Sequence, residues 1–197
     1  MKKILVFGGS GFLGSHVADK LSLSGFEVTI FDKIKSKFIN KNQKMIIGDI
    51  LNDKEVDNAV NGNDVVFNFA GLADIEESKK NPIGTVKQNI LGNTIILDSC
   101  VKNNIKRYVF GSTVYVYSDL GSFYRVSKQA CENYIEHYNQ TYNLEYTILR
   151  FGSLYGPRSD LKNGIYRFIY QALKDKKINW NGSKKAMREF IHVEDAA

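Results

Sequence analysis

The sequence predicts an α/β fold, a doubly wound parallel sheet with helices on both faces, on three observations. Strand-length apolar runs alternate with helix-length segments from residue 4 to residue 149. Those runs are apolar at successive positions, as in strands buried on both faces. A glycine-rich turn joins the first strand to the helix that follows it.

In order, Ile4-Leu5-Val6-Phe7 reads as the first strand, 11–24 as a helix and Glu27-Val28-Thr29-Ile30-Phe31 as the second strand, which makes one βαβ unit. Further strands are expected at Met45-Ile46-Ile47, Val65-Val66-Phe67-Asn68-Phe69, Tyr108-Val109-Phe110 and Tyr146-Thr147-Ile148-Leu149. Helices are expected near 53–60, 82–103 and 124–142. After Arg150 the pattern changes to a Gly/Pro loop from Gly152 to Pro157, an aromatic-rich helix over 165–173 and a Trp-bearing stretch over 178–182. Residues 1–151 are therefore expected to form the main domain, and 152–197 the start of a smaller, incomplete C-terminal lobe. Val193-Glu194-Asp195-Ala196-Ala197 reads as the first turn of a helix that the chain does not finish.

Of the 197 residues, 43% are hydrophobic and 12% aromatic, enough for one compact core or one core and part of a second, which excludes a disordered chain. No apolar run approaches the roughly 20 residues that span a bilayer. Met1-Lys2-Lys3 leads into a strand pattern with no signal-peptide core, so a cytoplasmic protein without a membrane partner is expected. Cys100 and Cys131 fall in predicted helices without a metal or redox spacing and read as buried free thiols. His16, His137 and His192 are scattered, and no metal site is predicted. Lys and Arg number 27 against 21 Asp and Glu, a formal charge of +6. The basic residues are spread over Lys33, Lys35, Lys79-Lys80, Lys176-Lys177 and Lys184-Lys185 with no nucleic-acid-binding motif. Solvated faces and an anionic small ligand account for them, and no nucleic-acid partner is expected.

Gly8, Gly11 and Gly14 form a GxxGxxG pattern between the first strand and its helix. Missing side chains there permit a sharp turn, close approach of a pyrophosphate and tight helix packing. The helix N-terminus adds free N–H groups and its positive dipole end. Asp32 follows the second strand, 18 residues past Gly14, where a carboxylate accepts hydrogen bonds from the adenosine ribose and repels a 2′-phosphate. The prediction is a Rossmann-type domain that binds a nicotinamide dinucleotide, NAD in preference to NADP, with Lys33 and Lys35 as solvated lysines.

Further motifs follow in a fixed order: Gly48-Asp49-Ile50, Phe69-Ala70-Gly71-Leu72, Asn89-Ile90-Leu91-Gly92-Asn93, Gly111-Ser112-Thr113, Tyr124-Arg125-Val126-Ser127-Lys128, Leu154-Tyr155-Gly156-Pro157-Arg158 and Arg188-Glu189-Phe190-Ile191-His192-Val193-Glu194-Asp195. With the glycine turn they make the whole chain resemble the extended short-chain dehydrogenase/reductase superfamily, within it the nucleotide-sugar epimerase/dehydratase group and most closely the UDP-glucose 4-epimerases. The resemblance implies that Asp49 and Ile50 lie against the adenine of NAD and that Ala70 and Gly71 lie beside its ribose and phosphates. It also implies that Phe12 and Leu13 offer backbone N–H groups to the pyrophosphate.

Such a site removes a proton from an alcohol while hydride leaves the same carbon. Tyrosine is a poor base because it ordinarily ionises near pH 10. Lys128, one helical turn after Tyr124 and on the same face, places a positive charge that lowers that value. By resemblance, Lys128 also binds the nicotinamide ribose and Thr113, just past the strand 108–110, hydrogen-bonds the reacting oxygen, with Ser112 as second choice. Thr113, Tyr124 and Lys128 are thus the expected catalytic set, and Ser153 and Arg188 the expected substrate contacts.

Departures from the family pattern matter as well. The segment between Thr113 and Tyr124 is shorter than in most relatives, so part of the loop that walls the sugar pocket is missing or rebuilt. Ser153 stands where many relatives carry asparagine before the Tyr-Gly-Pro motif. Nucleotide-sugar 4,6-dehydratases place an Asp-Glu pair directly after the threonine, whereas Val114 and Tyr115 stand here. The leading expectation is NAD-dependent epimerisation of a nucleotide-sugar through a transient keto-sugar. The alternatives are a reductase or dehydrogenase with exchangeable cofactor and a non-catalytic dinucleotide-binding module.

Relatives pair through two long helices, here 82–103 and 124–142, so a homodimer is expected. Tyr134, Tyr138 and Tyr142 either line that face or pack internally. Family members continue beyond the Arg-x-Phe-x-His-Val motif. The chain is therefore expected to be a truncated form with poor turnover, in which Arg188 reaches for the substrate's phosphates without most of the lobe that holds it.

Overall fold

The computed structural model describes residues 2–180, 183 and 187–197. The end of the Trp-bearing stretch and Lys184-Lys185 lie outside the described residues. The chain divides into two compact units, Met1–Arg150 and Phe151–Ala197.

The sheet has six strands: β1 (Lys3–Phe7), β2 (Glu27–Asp32), β3 (Gln43–Ile47), β4 (Val65–Asn68), β5 (Arg107–Thr113) and β6 (Tyr146–Phe151). Their order is β3-β2-β1-β4-β5-β6, and the pairings of β1 with β2 and β4, of β2 with β3 and of β4 with β5 are parallel. Parallel neighbours need crossovers, which are supplied by α1 (Phe12–Leu23), α2 (Asp53–Val60), the helical segments of 75–102 and α6 (Ser122–Tyr142). This is the doubly wound α/β fold that the sequence predicts. The strand order reverses between β1 and β4, so the crevice at their C-terminal ends is the switch point where such sheets bind ligands.

Side chains of β1 point alternately to the two faces, and each face has its own core. Leu5 and Phe7 pack in a cluster with Val56 of α2 and Cys131 and Ile135 of α6, while Ile4 and Val6 pack with Ala18 of α1 and Val28 and Ile30 of β2. Cutting a fully buried leucine such as Leu5 back to alanine would cost about 2–5 kcal/mol. Cys100 and Cys131 are buried free thiols, as the sequence predicts.

The predicted single helix over 82–103 is three pieces: α4 (Pro82–Thr85), a π-helical stretch (Val86–Leu91) and α5 (Gly92–Lys102). A separate α3 (Ile75–Lys80), capped by the Asp74 side chain on Glu77 N–H, precedes them. Asn81 caps α4 through Gly84 N–H, with Pro82 at the first helical position where its missing N–H costs nothing. The wider π turn carries Asn89 into the interior, and Gly92 then fits where a Cβ would stand 2.6 Å from Ile50 Cδ1.

In the second unit β7 (Ser153–Tyr155) and β8 (Phe190–His192) pair in parallel, with Ser153 opposite Phe190. Helix α7 (Gly164–Asp175) is capped by Asn163, whose amide also donates to Leu154 O at 2.7 Å, and α8 (Val193–Ala196) is capped by His192. Among the described residues no helix is long and apolar enough to cross a membrane.

Candidate active site

The turn after β1 is built so that no side chain fits. Gly8 has φ +73°, and a Cβ there would lie 2.6 Å from Ala70 N, in the loop after β4. At Gly14 a Cβ would lie 2.3 Å from Gly8 O, and at Gly11 it would meet the same oxygen at 3.2 Å. The first bond of α1 runs from Ser15 N–H to Gly11 O, which leaves the amides of Phe12 and Leu13 at a helix start with no acidic residue in its first turn. A bare backbone cradle with free donors and the positive end of a dipole fits a pyrophosphate.

Asp32, the last residue of β2, stands on the rim of this cradle. Its Oδ2 accepts from Ser10 N–H at 3.0 Å and its Oδ1 from Ile34 N–H at 3.2 Å, so the carboxylate is oriented by the glycine loop. Lys33 is not simply solvated, because its Nζ lies 3.0 Å from Asp49 Oδ2. Asp49 also forms a turn by accepting from Leu51 N–H at 2.9 Å, and Ile50 is buried in the core.

The loop carrying Ala70 and Gly71 is held by two buried asparagines. Asn68 Oδ1 accepts from Ala70 N–H at 3.0 Å. Asn89 Oδ1 accepts from Leu72 N–H at 2.7 Å, and its Nδ2 donates to Leu72 O and to Ser127 Oγ. Ser127 in turn donates to Tyr124 O at 2.7 Å. Asn89 thus ties the cradle's far wall to the helix of Tyr124 and Lys128, a function that sequence reasoning missed. The available signal was an amide in a segment otherwise read as an apolar helix.

Thr113 is the last residue of β5 rather than one beyond it, and it is buried. Tyr124, Lys128 and Glu132 follow at four-residue spacing on α6, one above another on the same face. They meet three consecutive residues of β5. Tyr124 is hydrogen-bonded through its phenol to the Thr113 side chain, Lys128 Nζ donates to Gly111 O at 2.7 Å, and Glu132 Oε1 accepts from Ser112 Oγ.

Lys128 Nζ also lies 4.4 Å from the Phe110 ring centroid and 5.9 Å from that of Tyr124. Burial pushes the Tyr124 phenol up to about 12, against the smaller lowering effect of the Thr113 hydrogen bond. The same burial lowers the pKa of Lys128. For Tyr124 burial is the larger influence in this arrangement, in which the Lys128 amine is bonded to a carbonyl on β5.

The two expected substrate contacts lie in the second unit and close together. Ser153 N–H donates to Glu189 O at 2.8 Å, next to the exposed Arg188. In the first unit Tyr115 follows Thr113 by two residues, with its N–H on Thr113 Oγ1 at 3.3 Å.

Residues 4–197 match the model of the NAD dependent epimerase/dehydratase family. A Methanocaldococcus jannaschii protein provisionally named UDP-glucose 4-epimerase is 34% identical over 216 residues, which take in 98% of this chain and 70% of that protein. A UDP-N-acetyl-alpha-D-glucosaminuronate decarboxylase of Bacillus cytotoxicus is 33% identical over 223 residues, 99% of this chain and 68% of that one. The structure of the Thermus thermophilus UDP-glucose 4-epimerase in complex with NAD superposes with a TM-score of 0.91 at 26% identity, over 98% of this chain and 71% of the other. The cofactor expected from the glycine turn and Asp32 is the one on which the family depends. With its glycine cradle, the Asp32 carboxylate on the rim of that cradle and its Thr-Tyr-Lys grouping at the end of β5, the chain belongs to the NAD dependent epimerase/dehydratase family.

Proposed function

We propose that this chain carries out the NAD-dependent epimerisation of a nucleotide-sugar. The observation that supports it is the convergence of Thr113, Tyr124 and Lys128 at the end of β5, followed by Val114 and Tyr115 rather than by acids. Gly8, Gly11 and Gly14, with the amides of Phe12 and Leu13, would hold the pyrophosphate of NAD, and Asp32 its adenosine ribose. Asp49, Ile50, Ala70 and Gly71 would flank the cofactor, and Lys128 would bind the second ribose. When bound, NAD supplies a reversible hydride acceptor.

Tyr124 takes the proton of the sugar hydroxyl on its phenolic oxygen and returns it after the keto-sugar has turned its other face. Thr113 holds the reacting oxygen through its hydroxyl. Lys128, one helical turn away, favours the phenolate by its positive charge. Ser153 and Arg188 bind the nucleotide side of the substrate, Arg188 through its affinity for phosphate. The sugar leaves at the oxidation level at which it arrived, so no second reductant is consumed.

The same reading takes the protein as a homodimer. On α6 the apolar side chains of Phe123, Val126, Tyr134 and Tyr142 are exposed, as are Ile83, Val86 and Leu91 on the preceding helical stretch. Tyr138 instead packs inward and bonds to Asp98.

The test is to incubate the protein and NAD with a panel of UDP-, GDP-, dTDP- and CDP-sugars and follow the anomeric protons by NMR. Interconversion of C4 epimers is expected. Release of carbon dioxide from a nucleotide-hexuronate without epimer formation would replace this reading with decarboxylation.

A further inference from the structure

Glu132 and Arg150 lie outside the expected catalytic set, yet they form a charged cluster directly behind Thr113. Glu132 is only 6% exposed, and Arg150 grips it with a planar fork: Nε lies 3.1 Å from Oε1 and 3.2 Å from Oε2, and Nη2 lies 2.7 Å from Oε2. Glu132 also accepts from Ser112 Oγ, immediately before Thr113. The remaining arm of Arg150, Nη1, donates to the Tyr117 hydroxyl, and its guanidinium lies 5.0 Å from that ring's centroid. Tyr117 ends the short 3-10 turn that begins immediately after Thr113.

Two more side chains of α6 fasten the same segment. Gln129 Nε2 donates to Val116 O at 2.9 Å, and Arg125 Nη1 donates to Ser118 O. Packing alone does not call for a carboxylate buried at this point. A buried ion pair is weak evidence for stability, since a well-packed apolar pair of similar volume often serves as well, but its directional bonds can specify one geometry.

We propose that Arg150 is a positioning residue that, through Glu132 and Ser112 on one side and Tyr117 on the other, pins both flanks of Thr113 and so holds its hydroxyl on the phenol of Tyr124. This rests on the reading of Thr113 and Tyr124 as the reacting pair. It also explains how the segment between them keeps its place. Three side chains, Arg125 and Gln129 of α6 and Arg150 of β6, bond to it directly.

The test replaces Tyr124 with 3-fluorotyrosine and follows its ionisation by fluorine NMR in the presence of saturating NAD, with NAD affinity measured by calorimetry. Arg150→Lys leaves a cation for Glu132 but cannot hold Glu132 and Tyr117 in one planar fork. Tyr117→Phe, at a residue 72% exposed, removes one arm without leaving a buried charge unpaired. Both variants are expected to raise the Tyr124 midpoint by about half a pH unit or more, because the Thr113 bond that opposes burial is loosened, with NAD affinity within about twofold of the parent.

Thr113→Val, measured alongside, separates the two ideas. If it raises the midpoint and neither Arg150→Lys nor Tyr117→Phe does, the clamp is refuted while the reacting pair stands. If Thr113→Val itself leaves the midpoint unmoved, the reading of the pair fails first. A loss of thermal stability with an unchanged midpoint would make Arg150 structural only and overturn the proposal.

Discussion

Lys128 Nζ donates to the main-chain carbonyl of Gly111 at 2.7 Å, so the buried amine of α6 is bonded to the strand that carries Thr113 rather than to the phenol of Tyr124. Sequence spacing alone places the two side chains one turn apart and suggests that the lysine acts on the tyrosine. Tyr124 is then governed by its burial, and that has a measurable consequence.

The phenol of Tyr124 is raised from 10.0 to about 12 by burial. Below pH 10 both the folded and the unfolded chain keep the proton, and the associated stability is fully present. As pH rises from 10 towards 12 the unfolded chain loses its proton first, so that stability is lost. Urea melts of the parent and of Tyr124→Phe should therefore differ in slope against pH across this window, the parent falling more steeply. Parallel curves would show that Tyr124 is not shifted upward.

Tyr124→Phe should leave NAD affinity within about twofold and lower the rate of hydride transfer by roughly 10²–10⁴, the usual worth of a positioned acid–base group. The ring's packing is retained and only the ionisable oxygen is removed. Calorimetry gives the first quantity, and the transient absorbance of reduced nicotinamide gives the second. A variant that kept most of its rate would remove Tyr124 from its assigned role.

Asp32→Ser tests the choice of dinucleotide. The carboxylate proposed to face the adenosine ribose and to repel a 2′-phosphate is lost, together with the acceptors of Ser10 N–H and Ile34 N–H. The ratio of NAD to NADP affinity should fall by about tenfold, in line with one charge-assisted hydrogen bond and one like-charge repulsion. Tighter binding of NADP than NAD by the parent protein would sink the assignment before any mutation is made.

Val114 and Tyr115 supply no carboxylate after Thr113, so elimination of water across C5 and C6 of the sugar has no acid–base pair there. No 4-keto-6-deoxy sugar should be released from any nucleotide-hexose, as read by mass spectrometry of the products. Its appearance would mean that acids from elsewhere in the fold reach the sugar.

The exposed apolar side chains on α6 predict self-association. Light scattering at micromolar concentration should report twice the mass of the chain, and Val126→Arg, at a residue 47% exposed, should halve it without changing the far-ultraviolet dichroism. A parent protein that is monomeric under these conditions would remove the proposed interface.

What the sequence determined by itself was local. Apolar runs on both sides of a glycine turn specify a parallel βαβ start, because only buried strands are apolar at successive positions and only glycine tolerates the contacts at Gly8 and Gly14. Asp32 was legible for the same reason, since it lies at a fixed distance along one strand–helix–strand unit.

The tertiary structure decided what depends on residues far apart in the chain. The π turn aims Asn89 at Leu72 and Ser127, which are 17 and 38 residues away. Glu132 gathers Ser112 and Arg150 from two different strands, and Lys128 meets the Gly111 carbonyl. Periodicity tells which side of its own element a residue faces. Which partner waits there, and how far water is excluded from it, is set only when sheet and helices pack together, and desolvation on that packing is what moves Tyr124 upward instead of down.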